Sequence, residues 1–253
     1  MTGTLAIVGL GPGDEAMVTP QVRAALDAAT DVIGYIPYVA RVAPRPGLTL
    51  HPSDNRVERE RAAHALDLAA QGRQVVVVSS GDPGVFAMAA AVFEVVEEGA
   101  PRWADVPVSV LPGITAMLAA AARAGAPLGH DFCAINLSDN LKPWAVIERR
   151  LRLAAEADFA MAFYNPRSRA RPEGFARALA VLRECCGPAR LVLFARAVST
   201  PEEHLRIVTL AQAQPDMADM RTVVIVGSSQ TRMIHRATGP VLYTPRSLDG
   251  AAA

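Results

Sequence analysis

Two glycine-rich turns hold the residue types best suited to ligand chemistry, and the more informative one spans Val75 to Phe86. Four consecutive valines, Val75 to Val78, lead into Ser79-Ser80-Gly81-Asp82-Pro83-Gly84. Continuous apolar runs mark strands buried on both faces, and Gly and Pro supply the dihedrals of a turn. Beyond the turn, Val85, Met88, Ala89, Val92, Phe93 and Val96 recur at helical spacing. Strand, turn and helix make half of a βαβ unit, and open α/β sheets bind ligands beyond the carboxyl ends of their strands. Gly81 and Gly84 leave the main chain bare, so a ligand can approach its N–H groups. The Asp82 carboxylate can accept from a hydroxyl or an ammonium. The stretch suits a cradle for a small polar cofactor; a plain strand-to-helix connection without a ligand accounts for it equally well.

The other turn is Gly9-Leu10-Gly11-Pro12-Gly13-Asp14, after an apolar run from Leu5 to Val8. A dinucleotide fingerprint needs GxGxxG opening directly into a helix. Here the spacing is GxGxG. Pro12 lacks an N–H and fixes φ, which spoils a pyrophosphate nest, and the helix waits until Thr19. Gly11-Pro12-Gly13 reads instead as a rigid loop lining a pocket, with Asp14 at its rim. A solvated turn residue is the alternative for Asp14.

Other chemistry has little support. Cys133, Cys185 and Cys186 form no CxxC pair, which fits reduced thiols in a cytosol and neither a disulfide framework nor a zinc site. The five histidines, His51, His64, His130, His204 and His235, show no ligand spacing and read as structural. Formal net charge is zero, so no overall field draws nucleic acid or an anionic membrane. No apolar run approaches the roughly 20 residues of a membrane span, and the N-terminus opens into a strand without the pattern of a signal peptide.

The elements that must position these turns alternate between strand and helix. The predicted strands are Thr4–Val8, Val32–Ile33, Val75–Val78, Val108–Leu111, 131–137, 159–164, Leu191–Ala195, 204–210 (alternating, hence an exposed antiparallel strand) and Thr222–Val226. Predicted helices begin at Thr19-Pro20, where Thr caps and Pro suits the first position, and cover 57–70, the segment from Val85, the Ala-rich stretch after Thr115, 144–155 and 173–186. Ala62, Ala65, Leu66 and Ala69 would face inward. Pro44 to Asn55 reads as a loop, and the tail after Asp249 as disordered. The fold class is α/β: two α/β domains with a cofactor cleft between them, residues 1–111 and 112–244, then a tail at 245–253.

Seven segments together carry a resemblance: VGLGPGD at 8–14, GYIPY at 34–38, SSGDPGVFAMA at 79–89, PGIT at 112–115, SDNLKPW at 138–144, YNPRS at 164–168 and VVIVGSSQT at 223–231. The chain, from Leu5 to about Thr244, is similar to the tetrapyrrole methyltransferases of the class III S-adenosylmethionine (SAM) fold. The GxGPGD and SGDP motifs belong to the whole family. GYIPY, YNPRS and GSSQT resemble its precorrin-3B C17-methyltransferase branch, which implies methylation with ring contraction to precorrin-4 in cobalamin biosynthesis. Other precorrin, cobalt-precorrin or uroporphyrinogen methyltransferases are the near alternatives. An NAD(P)-dependent oxidoreductase and a non-catalytic tetrapyrrole carrier are the distant ones.

The resemblance implies roles residue by residue. Gly11, Pro12 and Gly13 belong to the tetrapyrrole trough. Ser80, Gly81 and Asp82 match main-chain and carboxylate contacts of SAM, and Val85 and Phe86 the wall beside it. Thr115 and Ala116 match a second contact; Phe163 and Tyr164 match the adenine wall; Thr222 and Val223 align with a last adenine contact. Asp14, Tyr35 or Asp139 would shuttle the proton that ring contraction requires. An acidic macrocycle wants cations, for which Lys142, Arg167, Arg169, Arg171 and Arg196 are candidates beside Asn165, with a solvated basic loop as the alternative. Trp144 fits a core residue better than a ring-stacking one. The family also implies a homodimer in the cytoplasm, with no metal. Methyl transfer from a sulfonium has an activated, neutral leaving group, so the protein chiefly orients and desolvates. No nucleophile or triad is needed.

Overall fold

The computed structural model describes residues 2–55 and 57–247. The chain divides into two compact units, Met1–Thr115 and Ala116–Ala253, a boundary four residues past the one expected from sequence. The tail after Asp249 lies outside the described residues.

The first unit runs β1 (Thr4–Gly9), α1 (Pro20–Ala28), β2 (Asp31–Tyr35), α2 (Ile36–Val39), β3 (Thr49–Ser53), α3 (Glu58–Ala70), β4 (Gln74–Ser79), α4 (Met88–Gly99) and β5 (Val108–Leu111). Its sheet is parallel throughout, in the order β3-β2-β4-β1-β5. The valine run is explained by its central place. Side chains alternate across a strand, so Val75 and Val77 pack with Leu5, Ile7, Ala62, Leu66 and Val92 on the α3/α4 side. Val76 and Val78 pack with Val8, Val22 and Val32 on the other. Both faces are covered, and each buried valine contributes on the order of 1.5–3 kcal/mol. The Thr19 side chain accepts from the Val22 amide and Pro20 opens α1. The Arg45 guanidinium closes the far end of that helix by donating to the Leu26, Asp27 and Ala29 carbonyls at 3.0, 2.7 and 2.7 Å.

The second unit runs α5 (Ala116–Ala124), β6 (Gly125–Ala126), β7 (Phe132–Asn136), α6 (Trp144–Glu156), β8 (Ala160–Tyr164), α7 (Gly174–Cys185), β9 (Leu191–Arg196), β10 (His204–Thr209), β11 (Thr222–Val226), β12 (Arg232–Ile234) and β13 (Val241–Tyr243). A mixed sheet has the order β10-β9-β11-β8-β7, and β12-β13-β6 form a small second sheet. Helices α6 and α7 bury Ile147, Leu151, Phe175, Leu179 and Leu182 against one face of the mixed sheet. The Ala-rich α5 packs against β11, with Ala119, Ala120, Ala121 and Ala124 buried.

Several expectations need correction. Residues 44–55 are not all loop: 49–53 form β3, on the sheet edge, where Pro52 removes no ladder bond the sheet needs. Helix α4 starts at Met88, not Val85, because Ala87 is extended, and this start turns Val95 inward and leaves Phe93 exposed. The β6-β12-β13 sheet has strands of two or three residues, too short to show periodicity. Helices 58–70 and 144–156 and the antiparallel strand 204–209 stand where expected, and Trp144 packs against the second core under the Arg177 guanidinium.

A buried carboxylate ties β2 to its neighbours. Asp31 is 2 % exposed and accepts from Arg73 Nε at 2.7 Å and Thr30 Oγ1 at 2.7 Å, with His51 Nε2 at 2.9 Å. Burial pushes this carboxyl up, but the Arg73, His51 and Thr30 hydrogen bonds outweigh it and hold the group below the ordinary carboxylate value. A folded-state pKa below the unfolded one stabilises above the unfolded pKa of about 3.9, and that stabilisation is lost as pH falls through the folded value. Because the Arg73 side chain is 42 % exposed, solvent screening discounts the pair. Asp31→Asn is expected to lower unfolding free energy by about 2 kcal/mol at pH 7 and by much less once pH has fallen through the folded-state pKa. Urea unfolding above and below that pKa would reveal this; an equal loss at both would show that packing, not charge, is responsible.

Candidate functional site

Four of the sequence motifs follow strands at the carboxyl edge of the first unit's sheet: β1 into Gly9–Asp14, β2 into Tyr35–Tyr38, β4 into Ser80–Phe86 and β5 into Pro112–Thr115. Three of these segments touch backbone to backbone. Leu10 N–H donates to Ser79 O at 2.9 Å, and Gly11 and Gly81 exchange hydrogen bonds at 3.1 and 2.9 Å. A Cβ on Gly9 would lie 2.4 Å from the Gly81 carbonyl oxygen; one on Gly113 would lie 2.2 Å from it and 2.7 Å from Gly9 O. Gly11 and Gly81 both have positive φ, 68° and 62°, a region in which L side chains are strained.

Asp82 fastens this arrangement. One carboxylate oxygen accepts from Gly84 N at 2.8 Å and the other from Gly113 N at 3.0 Å. The sequence suggested a ligand contact for this carboxylate; its geometry is first that of a staple between two loops. Each carboxylate oxygen can accept a further bond, so a ligand hydroxyl or ammonium still fits. Ser80 is half-buried. Phe86 is 48 % exposed with φ 53°; a bulky residue there is an outlier of the kind that collects at functional sites. Val85 is half-buried beside it.

The opening loop does not form an anion nest. Leu10 and Gly11 already use their N–H groups on Ser79 and Gly81, and α1 begins only at Pro20. Pro12 and Gly13 are half-buried. Asp14 is exposed and caps a short 3-10 turn by accepting from Ala16 N at 2.8 Å. Tyr35 is half-buried, its ring meeting Tyr38 edge-on at 5.4 Å. Burial pushes the Tyr38 phenol up, and Tyr35 adds to this, against the pull of Arg41 and Arg61. Thr115, 5 % exposed, ends the unit.

In the second unit the strand directions sort the motifs. β7 and β8 run parallel, with Asn136 beside Tyr164. β11 runs antiparallel to β8 and β9, so Thr222 pairs with Arg196 at that same end. SDNLKPW, YNPRS, Arg196 and Thr222 therefore share one edge. Asn165, at φ 51°, donates from Nδ2 to Asn136 Oδ1 at 3.1 Å, and the same oxygen accepts from Ser138 N at 2.9 Å. The Tyr164 hydroxyl accepts from Met117 N at 3.0 Å, in the first turn of α5, next to half-buried Ala116. Lys142 Nζ donates to Ser138 O at 2.9 Å; burial and then Arg150 push its pKa down, Asp139 opposes them, and Arg171 adds to the depression. Asp139 and Arg169 are exposed, Arg167 half-buried with Nε on Pro172 O, and Arg171 holds Asn165 O.

Three assignments change. Phe163 is 0 % exposed within the second core, so its ring walls no ligand and only its main chain can meet one. Val223 is likewise buried in β11, and Thr222 is buried with its hydroxyl on Asp219. Arg196 is paired with Asp219 at 2.8 Å and Glu202 at 3.7 Å, which neutralises it as an anion anchor. GSSQT lies at the opposite end of the sheet from YNPRS: Asp158, just before β8, holds Ser229 through its N–H at 2.8 Å and hydroxyl at 2.6 Å, together with Arg190 at 2.7 Å. Its role here is to close the fold. Burial pushes the Cys133 and Cys186 thiols up, so neither is an activated nucleophile. Among the described residues no group of three or more His, Cys, Asp or Glu is placed to hold a metal, and no helix is long and apolar enough to cross a membrane.

This glycine-held edge on a parallel sheet, followed by a mixed-sheet α/β unit, agrees with the sequence relationships. Residues 4–214 match the profile of the tetrapyrrole (corrin/porphyrin) methylases, and the chain belongs to that family. It is 52 % identical over 253 residues, covering 100 % of both chains, to the precorrin-3B C(17)-methyltransferase of Sinorhizobium sp. It is 50 % identical over 250 residues, 97 % of this chain, to the cobalamin biosynthesis protein CobIJ of Mycobacterium tuberculosis, of which it spans 48 % of the length. The crystal structure of the methyltransferase CobJ superposes with a TM-score of 0.93 at 66 % identity, covering 96 % of this chain and 100 % of that one.

The glycine contact makes a sharp prediction. Gly113→Ala forces a Cβ onto two backbone oxygens that cannot rotate away, and should destabilise by about 1–3 kcal/mol. Gly187→Ala, where nothing lies within 4 Å, should change stability by no more than about 0.5 kcal/mol. Equal urea midpoints for the two variants would contradict the close approach at Gly113.

Proposed function

We propose that the protein is a SAM-dependent C-methyltransferase that methylates C17 of precorrin-3B, with ring contraction to precorrin-4, in cobalamin biosynthesis. The observation that carries this reading is the convergence of Gly9–Asp14, Ser80–Phe86 and Pro112–Thr115 at one sheet edge, with two loops joined through Gly11 and Gly81. The half-buried Ser80, the remaining acceptor capacity of Asp82 and the exposed Phe86 ring fit a folded nucleoside with a polar tail. Ser80, Gly81 and Asp82 would hold SAM, with Val85 and Phe86 beside it; Thr115, Ala116, Tyr164 and the Phe163 main chain complete the assignment. When bound, SAM supplies a methyl group on a sulfonium whose departure leaves neutral S-adenosylhomocysteine.

The chain's own work is orientation and proton handling. Gly11, Pro12 and Gly13 line the acceptor side. Asp14, Tyr35 and Asp139 are the proton-shuttle candidates; Asp14 keeps a second carboxylate oxygen for this use. Lys142, Asn165, Arg167 and Arg169 face the acidic acceptor, joined by Arg171. The enzyme is cytoplasmic and homodimeric on this reading, which rests on the family for both properties.

Incubation with SAM and precorrin-3B should give a product one methyl heavier with the absorbance of a contracted ring; a methylated but uncontracted product, or methylation of a uroporphyrinogen instead, would replace this reading with a sibling activity. Asp82→Ala should raise the dissociation constant for S-adenosylhomocysteine at least about tenfold by calorimetry, since it removes both a staple and an acceptor. Asp14→Asn keeps the cap oxygen and removes the charge. It should leave S-adenosylhomocysteine affinity unchanged and slow turnover about 100-fold; wild-type turnover would strip Asp14 of any chemical role.

A further inference from the structure

The GYIPY segment has no assigned task beyond Tyr35, and the residue that gives it one is Arg41. Helix α2 ends at Val39, and Arg41 follows in the turn, with its N–H on Tyr38 O at 3.1 Å. Its guanidinium reaches back to the opening loop. Nη1 donates to Gly11 O at 3.1 Å, and Nη2 to Leu10 O at 2.6 Å and Gly13 O at 3.2 Å. Three carbonyls of one four-residue stretch thus converge on one planar cation. A fork of fixed N–H directions can span them; a single ammonium cannot.

Gly11 O is the node of this arrangement. It accepts from Arg41 Nη1 on one side and from Gly81 N at 2.9 Å on the other. One oxygen atom therefore links Arg41 to the SGDP turn, and both of its lone pairs are in use. The loop is fixed from two directions, by the bridge to Gly81 and by the guanidinium, so its shape does not wait for a ligand.

We infer that Arg41 is a positioning residue, which sets the opening loop against the SGDP turn and thereby aligns acceptor with donor for methyl transfer. The inference rests on the proposed function for the identity of the two sides. An in-line displacement loses rate steeply with misalignment: about 1 Å of displacement can lower it 100-fold. Arg41 acts through Gly11, and the role it gives to GYIPY is to present that side chain.

The test uses the full chain with Arg41→Ala, Arg41→Lys and, should the first be poorly folded, Arg41→Gln. Amide hydrogen exchange at Gly11 and Gly81 is measured alongside steady-state methyl transfer and S-adenosylhomocysteine calorimetry. Exchange should accelerate at least about tenfold at Gly11 and Gly81 in the Ala and Gln variants while thermal midpoints stay within a few degrees. For the same variants kcat should fall about 100-fold, KM for the tetrapyrrole and the S-adenosylhomocysteine dissociation constant should move less than about threefold, and methylguanidine should restore part of kcat. Lys should not restore it. Unchanged exchange, a loss confined to KM, full activity with Lys, or absence of guanidine rescue in folded protein would each overturn the inference. If the wild-type protein shows no activity on precorrin-3B, the functional reading fails, and the exchange measurement alone still decides whether Arg41 fixes the loop.

Discussion

The structure depends on one close approach: the backbones of Gly9, Gly81 and Gly113 lie so near one another that no side chain fits at Gly9 or Gly113. β1, β4 and β5 leave the sheet at that point, and their loops share hydrogen bonds with one another. Asp82 spans the crease to Gly113, and Gly11 bridges back to Gly81. The glycines do not bare free N–H groups to a ligand, because Gly81 and Gly84 spend theirs on Gly11 O and Asp82. They let three loops pack like adjacent strands where no sheet continues, and that fixes the surface a ligand meets. Asp82 illustrates the difference. A carboxylate in a turn looks free for a ligand, yet both of its oxygens first satisfy amides that the crease would otherwise leave unpaired.

What was legible in the sequence was whatever local pattern dictates. The valine strand announced itself because both of its faces are covered. Helix α1 did so through Thr19-Pro20, and α3 through the spacing of Ala62, Ala65, Leu66 and Ala69, all fully buried. β3 was hidden because Pro52 and its neighbouring Pro and Gly residues read as loop, while an edge position makes Pro harmless. Phe93 was misplaced because three residues, Val85 to Ala87, precede the helix, so Val85 does not share the helical phase on which Met88, Ala89, Val92 and Val95 face inward. The site was legible as motif positions but not as partnerships. Arg41 sits in Val39-Ala40-Arg41-Val42, which has no special pattern, and its acceptors are carbonyls about 30 residues earlier. Backbone acceptors leave no mark on residue type. GSSQT carries the resemblance without showing its structural use: antiparallel β11 delivers it to the far end of its sheet, where Asp158 and Arg190 hold it.

The two units satisfy their arginines in different ways. In the second unit Arg190, Arg196 and Arg221 pair with Asp158, Asp219 and Glu202, so charge is cancelled locally. In the first, Arg41 rests on three carbonyls. Arg61, 5 % exposed, rests on Ser53 Oγ, the Asp54 carbonyl and Met88 Sδ. Among the described residues neither has a carboxylate within ion-pair distance. Carbonyl dipoles orient a guanidinium without neutralising it, and in both cases burial lowers its pKa, though from so high a value that the charge persists at neutral pH. The first unit thus holds Arg41, Arg45 and Arg61 mainly on uncharged acceptors, with Arg41 at the motif edge itself. Holding a cation on carbonyls alone costs stability, and at Arg41 that cost is borne where three carbonyls of the opening loop are fixed by one guanidinium.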